Sequence, residues 1–155
     1  MPLNDDERAQ LEAAKLANTA QLLFKCARLV NERAVARMPQ AAGAPKVRVA
    51  HTALFPHLDF DGLRLTQLAA KVGTTKQAVA QLVNELEQMG IVERVPDPTD
   101  GRAKLIRWTR AGGLAIHDGL RLLAEEVAEL RKAVGDEHMD RLHEALVAMH
   151  AVLTR

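Results

Sequence analysis

Lys76, Gln77, Gln81 and Asn84 recur at helical spacing with Ala80 between them, so they form one polar face that is almost free of acids at its N-terminal half. That face has a definite chemistry. A Gln or Asn carboxamide carries a donor and an acceptor side by side and can pair bidentately with adenine, and a lysine suits guanine. Further on, RVPDPTDGRAKLIRWT (94–109) crowds two prolines, two aspartates and a glycine among cations. Pro96 and Pro98 restrict the backbone and cannot donate to a strand ladder. Gly101 permits a tight reversal, and Asp100 can accept from Arg102, Arg94 or local amides. Arg102 is then offered to a narrow, strongly negative minor groove, with Lys104 and Arg107 placed for phosphates. For Asp100 and Arg94 a surface ion pair that steadies the turn is the plainer reading.

The elements that must hold these groups follow from spacing. Thr66 is expected to cap a short helix, TQLAAKV, which Gly73 ends in a left-handed conformation. Thr74, with Gln77 three positions on, forms a capping box that opens a second helix, stopped by Gly90. Within it Val79, Leu82, Val83 and Leu86 lie at i, i+3, i+4 and i+7 and belong to a core. A helix pair joined by a short Gly-Thr turn is a helix-turn-helix. Strands Ile91–Val95 and Leu105–Thr109 then form a hairpin, and the whole is a winged helix-turn-helix with the hairpin as the wing. The candidate contact set is Thr66, Thr74, Thr75, Lys76, Gln77, Gln81, Asn84, Arg94, Asp100, Arg102 and Lys104.

Composition limits the alternatives. The chain has 155 residues, 48% apolar and 26% charged, which suits one folded domain with a helical arm. Residues 64–110 carry eight Lys and Arg against five acids, whereas 111–155 carry five against eight. Positive charge is thus concentrated where a polyanion would be met. MPLNDDERAQ is acidic, and no eighteen apolar residues run together, so a cytoplasmic protein without a membrane span is expected. One cysteine, Cys26, excludes an internal disulfide framework. No Gly-rich phosphate loop, GxSxG or HExxH is present, no catalytic set can be assembled, and neither cofactor nor metal is expected. Aromatics at 3% are too few for a single-strand stacking platform.

From Arg64 to Gly112 the chain, RLTQLAAKVGTTKQAVAQLVNELEQMGIVERVPDPTDGRAKLIRWTRAG, resembles the DNA-binding core of the MarR family of bacterial transcriptional regulators. The helix pair, the GIVERVPDPTDGR wing with its Asp-x-Arg, and the W-T-x-x-G opening of the next helix carry the likeness. Trp108 stands where that family commonly has leucine, and it is expected in the core. The resemblance implies a homodimer whose first and last helices intertwine and whose two winged domains read a pseudo-palindromic operator in double-stranded DNA. It also implies control by a small effector or an oxidant.

Helices outside the winged part support a dimer on their own account. Asn4 or Asp5 can cap a first helix running unbroken to Pro39, with apolar residues on more than one face. PQAAGAP (39–45) reads as a loop, and Pro45 opens a second helix with Val47, Val49, Ala53 and Leu54. Thr109 caps a helix that Gly135 breaks, and a last helix repeats Met139, Leu142, Leu146, Met149 and Leu153 at steps of three and four. One chain offers too little to cover so much apolar surface. The expected layout is 1–44 for dimerisation, 45–110 for the winged helix-turn-helix, and 111–155 for dimerisation: mainly α with a small β-hairpin.

The resemblance also places an effector cleft between the arm and the winged domain, with His51 and Phe55 as lining. Cys26 lies in the helix that holds the reactive cysteine of peroxide-sensing members, but about one turn late and without a tyrosine, so a buried structural thiol is expected. His51, His57, Asp59 and Asp61 lack fixed metal-ligand spacing, and no metal is assigned. The expected function is a sequence-specific DNA-binding regulator, a repressor released by a small ligand. The alternatives are a winged-helix protein-interaction module and a redox-responsive regulator that uses Cys26.

Overall fold

A computed structural model of the chain describes residues 2–38 and 46–155. The predicted loop 39–45, with Pro39 and Pro45, lies outside the described residues. Helix α1 (Asp5–Ala17) starts at Asn4, whose side chain accepts from the Glu7 amide at 2.9 Å while Glu7 accepts from the Asn4 amide at 2.8 Å. The single long first helix is not observed. At Asn18 the backbone turns extended (φ −93°, ψ 110°), and its side chain caps a new helix, α2 (Thr19–Ala36), by accepting from the Gln21 amide at 3.0 Å. Continuous apolar spacing concealed this break, because a short amide serves the amides of a new helix start better than it serves a helix interior.

The second predicted helix shrinks to one turn, α3 (Val49–Thr52), followed by a 3-10 turn at Phe55–His57. Pro56 has no amide and disfavours helix at Phe55, so Ala53 and Leu54 lie beyond the helix and Val47 before it. Strand β1 (Leu63–Arg64) leads into α4 (Leu65–Val72), and then α5 (Lys76–Gln88), β2 (Val92–Asp97) and β3 (Asp100–Trp108) complete the winged part. The sheet is antiparallel in the order β1-β3-β2. Spacing had predicted only two strands, since β1 is two residues long and shows no alternation.

Two helix starts differ from the expected ones. Arg64 opens α4, with its amide donating to Gln67 Oε1 at 3.0 Å, so Thr66 lies inside the first turn and is no cap. Thr75 rather than Thr74 caps α5, accepting from the Ala78 amide at 3.2 Å. The boundary signals were sound in kind, and neighbouring threonines left the register ambiguous. Gly73 does end α4 in the left-handed conformation, at φ 72°.

Leu54, Leu68, Val79, Val83 and Leu86 are wholly buried and form a core with Val92, Ile106 and Trp108. Trp108 meets Phe55 edge-on at 5.4 Å and donates its indole N–H to the Leu58 carbonyl at 3.0 Å, which satisfies its one polar atom. Thr109 caps α6 (Arg110–Val134), where a Cβ on Gly112 would stand 1.9 Å from the Ile91 carbonyl oxygen. Only glycine permits that approach. Gly135 then breaks the chain into α7 (Asp136–Leu153). Among the described residues no helix is long and apolar enough to cross a membrane.

Helices α2 and α6 are latched by a buried carboxylate. Glu126 is only 3% exposed and is held by Arg37 at 2.7 Å and Arg33 at 2.9 Å, while Arg37 also meets Glu125 at 2.7 Å. Two cations offset the loss of hydration that this burial would otherwise cost. Elsewhere the arms stay open: Leu16, Phe24, Leu29, Leu114, Leu120 and Leu146 are among many large apolar side chains exposed on the single chain.

Candidate nucleic-acid interface

Helix α5 turns Val79, Val83 and Leu86 into the core, which leaves Lys76, Gln77, Gln81 and Asn84 on the outside. Gln81 and Asn84 are not idle. Gln81 Nε2 donates to Glu85 Oε1 at 3.3 Å, and Asn84 Oδ1 accepts from Arg94 Nη2 at 2.6 Å. Arg94 also pairs with Glu87, so β2 is tied to α5 through a residue that spacing had placed at the DNA. Thr66, Thr74 and Thr75 are exposed at the start of the two helices of the pair.

The wing is longer than predicted. Instead of strands ending at 95 and resuming at 105, pairing continues through Val95↔Leu105 and Pro96↔Lys104 to Asp97↔Asp100, with an irregularity between Pro96 and Asp97. Pro96 is tolerated because β2 is an edge strand. Only Pro98 and Thr99 are left to form the tip. Asp100 accepts from the Arg102 amide at 3.1 Å, as a local turn contact, and faces Arg64 at 3.5 Å rather than Arg94.

Asp97, which spacing did not single out, organises that tip. It is 6% exposed and accepts from Arg64 at 2.6 and 2.7 Å, and from the Thr99 hydroxyl and amide at 2.7 and 2.8 Å. The Thr99 hydrogen bonds, then Arg64, lower its pKa to about 2. The D-x-T spacing was the available signal, an aspartate whose side chain bonds the amide two residues on. Through Arg64 the wing tip is anchored to the first residue before α4.

Charge across this part is sorted rather than merely positive. All five acids of 64–110 have arginine partners: Glu85 with Arg48, Glu87 with Arg94, Glu93 with Arg107 at 2.8 Å, and Asp97 and Asp100 with Arg64. Arg107 is thereby engaged on the hairpin instead of standing free for phosphate. Lys71, Lys76, Arg102, Lys104 and Arg110 make no ion pair among the described residues, and all five are exposed. What remains uncompensated is cationic.

Behind α5 lies a second polar group. His51 is fully buried, with Nδ1 accepting from the Arg48 amide at 2.9 Å and Nε2 lying 2.8 Å from Glu85 Oε2. Because Nδ1 accepts a backbone N–H, the ring carries its proton on Nε2, directed at the carboxylate, and burial lowers the His51 pKa against the opposing pull of Glu85. The Arg48 hydrogen bond is the main cause holding the Glu85 carboxyl below its ordinary value. His51 was expected to line a cleft and does not. A cleft of about 830 Å³ lies between α2, α3 and α6, lined by Val35, Met38, Thr52, Phe55, Ile116 and Leu123 among others. Phe55 is in it, whereas the His51 ring is turned to α5.

Cys26 is exposed on α2 in the single chain, not the buried thiol that was expected. Asp59, from the histidine and aspartate group, accepts from the Gly62 amide at 2.6 Å and stabilises a turn. No group of three His, Cys, Asp or Glu among the described residues is arranged to hold a metal ion.

Comparison with known proteins bears on this geometry. Residues 50–103 match the model of the MarR family. No curated protein matches the chain in sequence. Among solved structures, wild-type MarR from E. coli in its apo form is similar with a TM-score of 0.67 at 17% identity, over 85% of this chain and 96% of that one. A transcriptional regulator from Thermotoga maritima has a TM-score of 0.59 at 23% identity, over 88% and 94%. A MarR family transcriptional regulator from Rhodococcus has 0.61 at 21%, over 84% and 90%. At such identities the likeness to these structures is one of fold, and it extends through the arms. Residues 50–103, the stretch that holds the helix pair and most of the wing, match the MarR family model, and the chain as a whole is similar in fold to solved MarR regulators.

Proposed function

We propose that the protein is a homodimeric, sequence-specific regulator of transcription, a repressor that binds a pseudo-palindromic operator in double-stranded DNA within the cytoplasm. The observation that carries this reading is the charge sorting: every acid of 64–110 is neutralised by an arginine, while Lys76 at the start of α5 and Arg102 and Lys104 on the wing stay uncompensated. A surface so arranged neutralises phosphates, and the amides of Gln77 and Gln81 supply base contacts beside it. Thr66, Thr74, Thr75, Asn84, Arg94 and Asp100 are assigned to phosphate contact or to support of the contact groups. The exposed apolar faces of α1, α2, α6 and α7 support a dimer, in which the two α5 helices would enter successive major grooves about 34 Å apart.

The cleft beside Phe55 has the size and apolar character of a small-ligand site, which supports release by an effector. The reading is tested by titrating duplex DNA at several salt concentrations. Wild type should bind with a steep salt dependence, and Arg102→Ala should weaken binding to all duplexes and reduce the slope by about one unit per subunit. Salt-insensitive or absent duplex binding would overturn it in favour of a protein-interaction module.

A further inference from the structure

A carboxylate on the exposed half of a helix that approaches DNA needs explaining, because it repels phosphate. Glu85 is such a group, one turn beyond Gln81, and it is not free. Arg48 pairs with one of its oxygens, the buried ring of His51 donates to the same oxygen at 2.8 Å, and Gln81 Nε2 reaches the other at 3.3 Å. We propose that Glu85 is the positioning residue that orients the Gln81 carboxamide for base readout, and that Arg48 and His51, from α3 and the residue before it, hold Glu85 in place. The proposal rests on the reading that α5 enters a major groove.

The chemistry is selective. An ionised carboxylate only accepts, so it takes the amide nitrogen of Gln81 and never its oxygen. The Gln81 amide can then present its oxygen and its second N–H outward together. That is the complement of adenine N6–H and N7. A free glutamine rotates its amide and loses that order. Arg48 offsets the charge of Glu85, and the neutral Nε2–H form of His51, fixed by the Arg48 amide at Nδ1, gives Glu85 a donor that cannot swing away. Sequence spacing assigned Gln81 to the bases and passed over Glu85. Its importance depends on partners in α3, which lies more than thirty residues earlier in the chain.

The experiment uses the full chain and duplex DNA. A preferred site is selected by wild type from random duplexes, and affinities are then measured for that site and for duplexes changed at one base pair each. Gln81→Ala identifies the base pair that Gln81 reads. Glu85→Ala should reduce discrimination at that same base pair by about tenfold, and the double variant should lose no more than Gln81→Ala alone. Affinity for unrelated duplex should rise, since a negative charge leaves the helix and Arg48 is released. Glu85→Gln keeps the side-chain shape, and with one carbonyl oxygen for three donors it should show an intermediate loss, so the outcome does not depend on a variant that folds poorly. A uniform fall in affinity with discrimination kept, or losses that simply add to those of Gln81→Ala, would overturn the positioning role and leave the DNA-binding reading intact. Failure of wild type to hold duplex DNA would overturn both.

Discussion

The winged half and the helical arms use the same apolar spacing with opposite results. In α5, Val79, Val83 and Leu86 are completely covered, because α4, β2 and the turn after α3 lie within reach of the same chain. In α7, Leu142, Leu146 and Met149 recur at the same steps of three and four and remain 37–47% exposed. Periodicity states which face of a helix is apolar. It does not state whether the cover belongs to the same molecule. A closed half and an open half in one chain are what a protein needs if it is to fold a reading head alone and build its frame from two copies.

The largest effect should come from the closed half. Leu86→Ala should cost about 3–4 kcal/mol in chemical denaturation, by lost burial and the cavity left behind. The same truncation at Leu153, 79% exposed, should cost no more than about 0.5 kcal/mol. Equal costs would erase the distinction between the halves.

Next in size is a charge placed on the open half. Leu142→Asp together with Leu146→Asp should weaken self-association by about 100-fold in sedimentation, in line with loss of central anchors from an interface. The urea midpoint of the isolated subunit should hardly move. A full-strength dimer in the double variant would show that α7 faces solvent.

A smaller effect belongs to the wing tip. The folded pKa of Asp97, about 2, lies below its ordinary 3.8, so its contribution is fully present above about pH 4 and is lost as pH falls through about 2. Hydrogen exchange at the Thr99 amide should therefore speed up in acid relative to core amides. Asp97→Asn should show the faster exchange at neutral pH and little further change with acid. Equal acid response in both would remove Asp97 from its anchoring role.

The smallest effect lies in the arm, at the break between α1 and α2. Asn18→Ala removes the side chain that accepts from the Gln21 amide and should cost about 1 kcal/mol, visible as reduced protection of that amide. Unchanged protection would mean that backbone geometry alone, without the cap, sets the break.

Much of this fold was legible because the informative interactions are local. Gly73 at φ 72°, the Thr109 cap, the break at Gly135 and the core face of α5 each depend on residues within a turn of one another. Boundaries were less legible where adjacent residues compete for one role, as Thr74 and Thr75 do, and where a polar residue interrupts an unbroken apolar pattern, as Asn18 does. The site was legible as a set of residue types and much less as a set of partners. Arg107 and Asn84 looked free and are engaged, Arg94 is paired with Glu87 and Asn84 rather than with Asp100, and Asp97 and Glu85, which looked incidental, anchor the tip and the helix face.

By itself the sequence determined the succession from the helix pair through the hairpin to the last two helices, the amide-rich face of α5, and the rigid cationic hairpin, since helix periodicity, glycine and proline restraints and capping act over a few residues. Only the tertiary structure decided which charges survive neutralisation, that His51 turns to α5 rather than to the cleft, and that the arms remain uncovered. Those outcomes depend on distances between segments far apart in the chain, and electrostatics and burial are set by such distances rather than by neighbours in sequence.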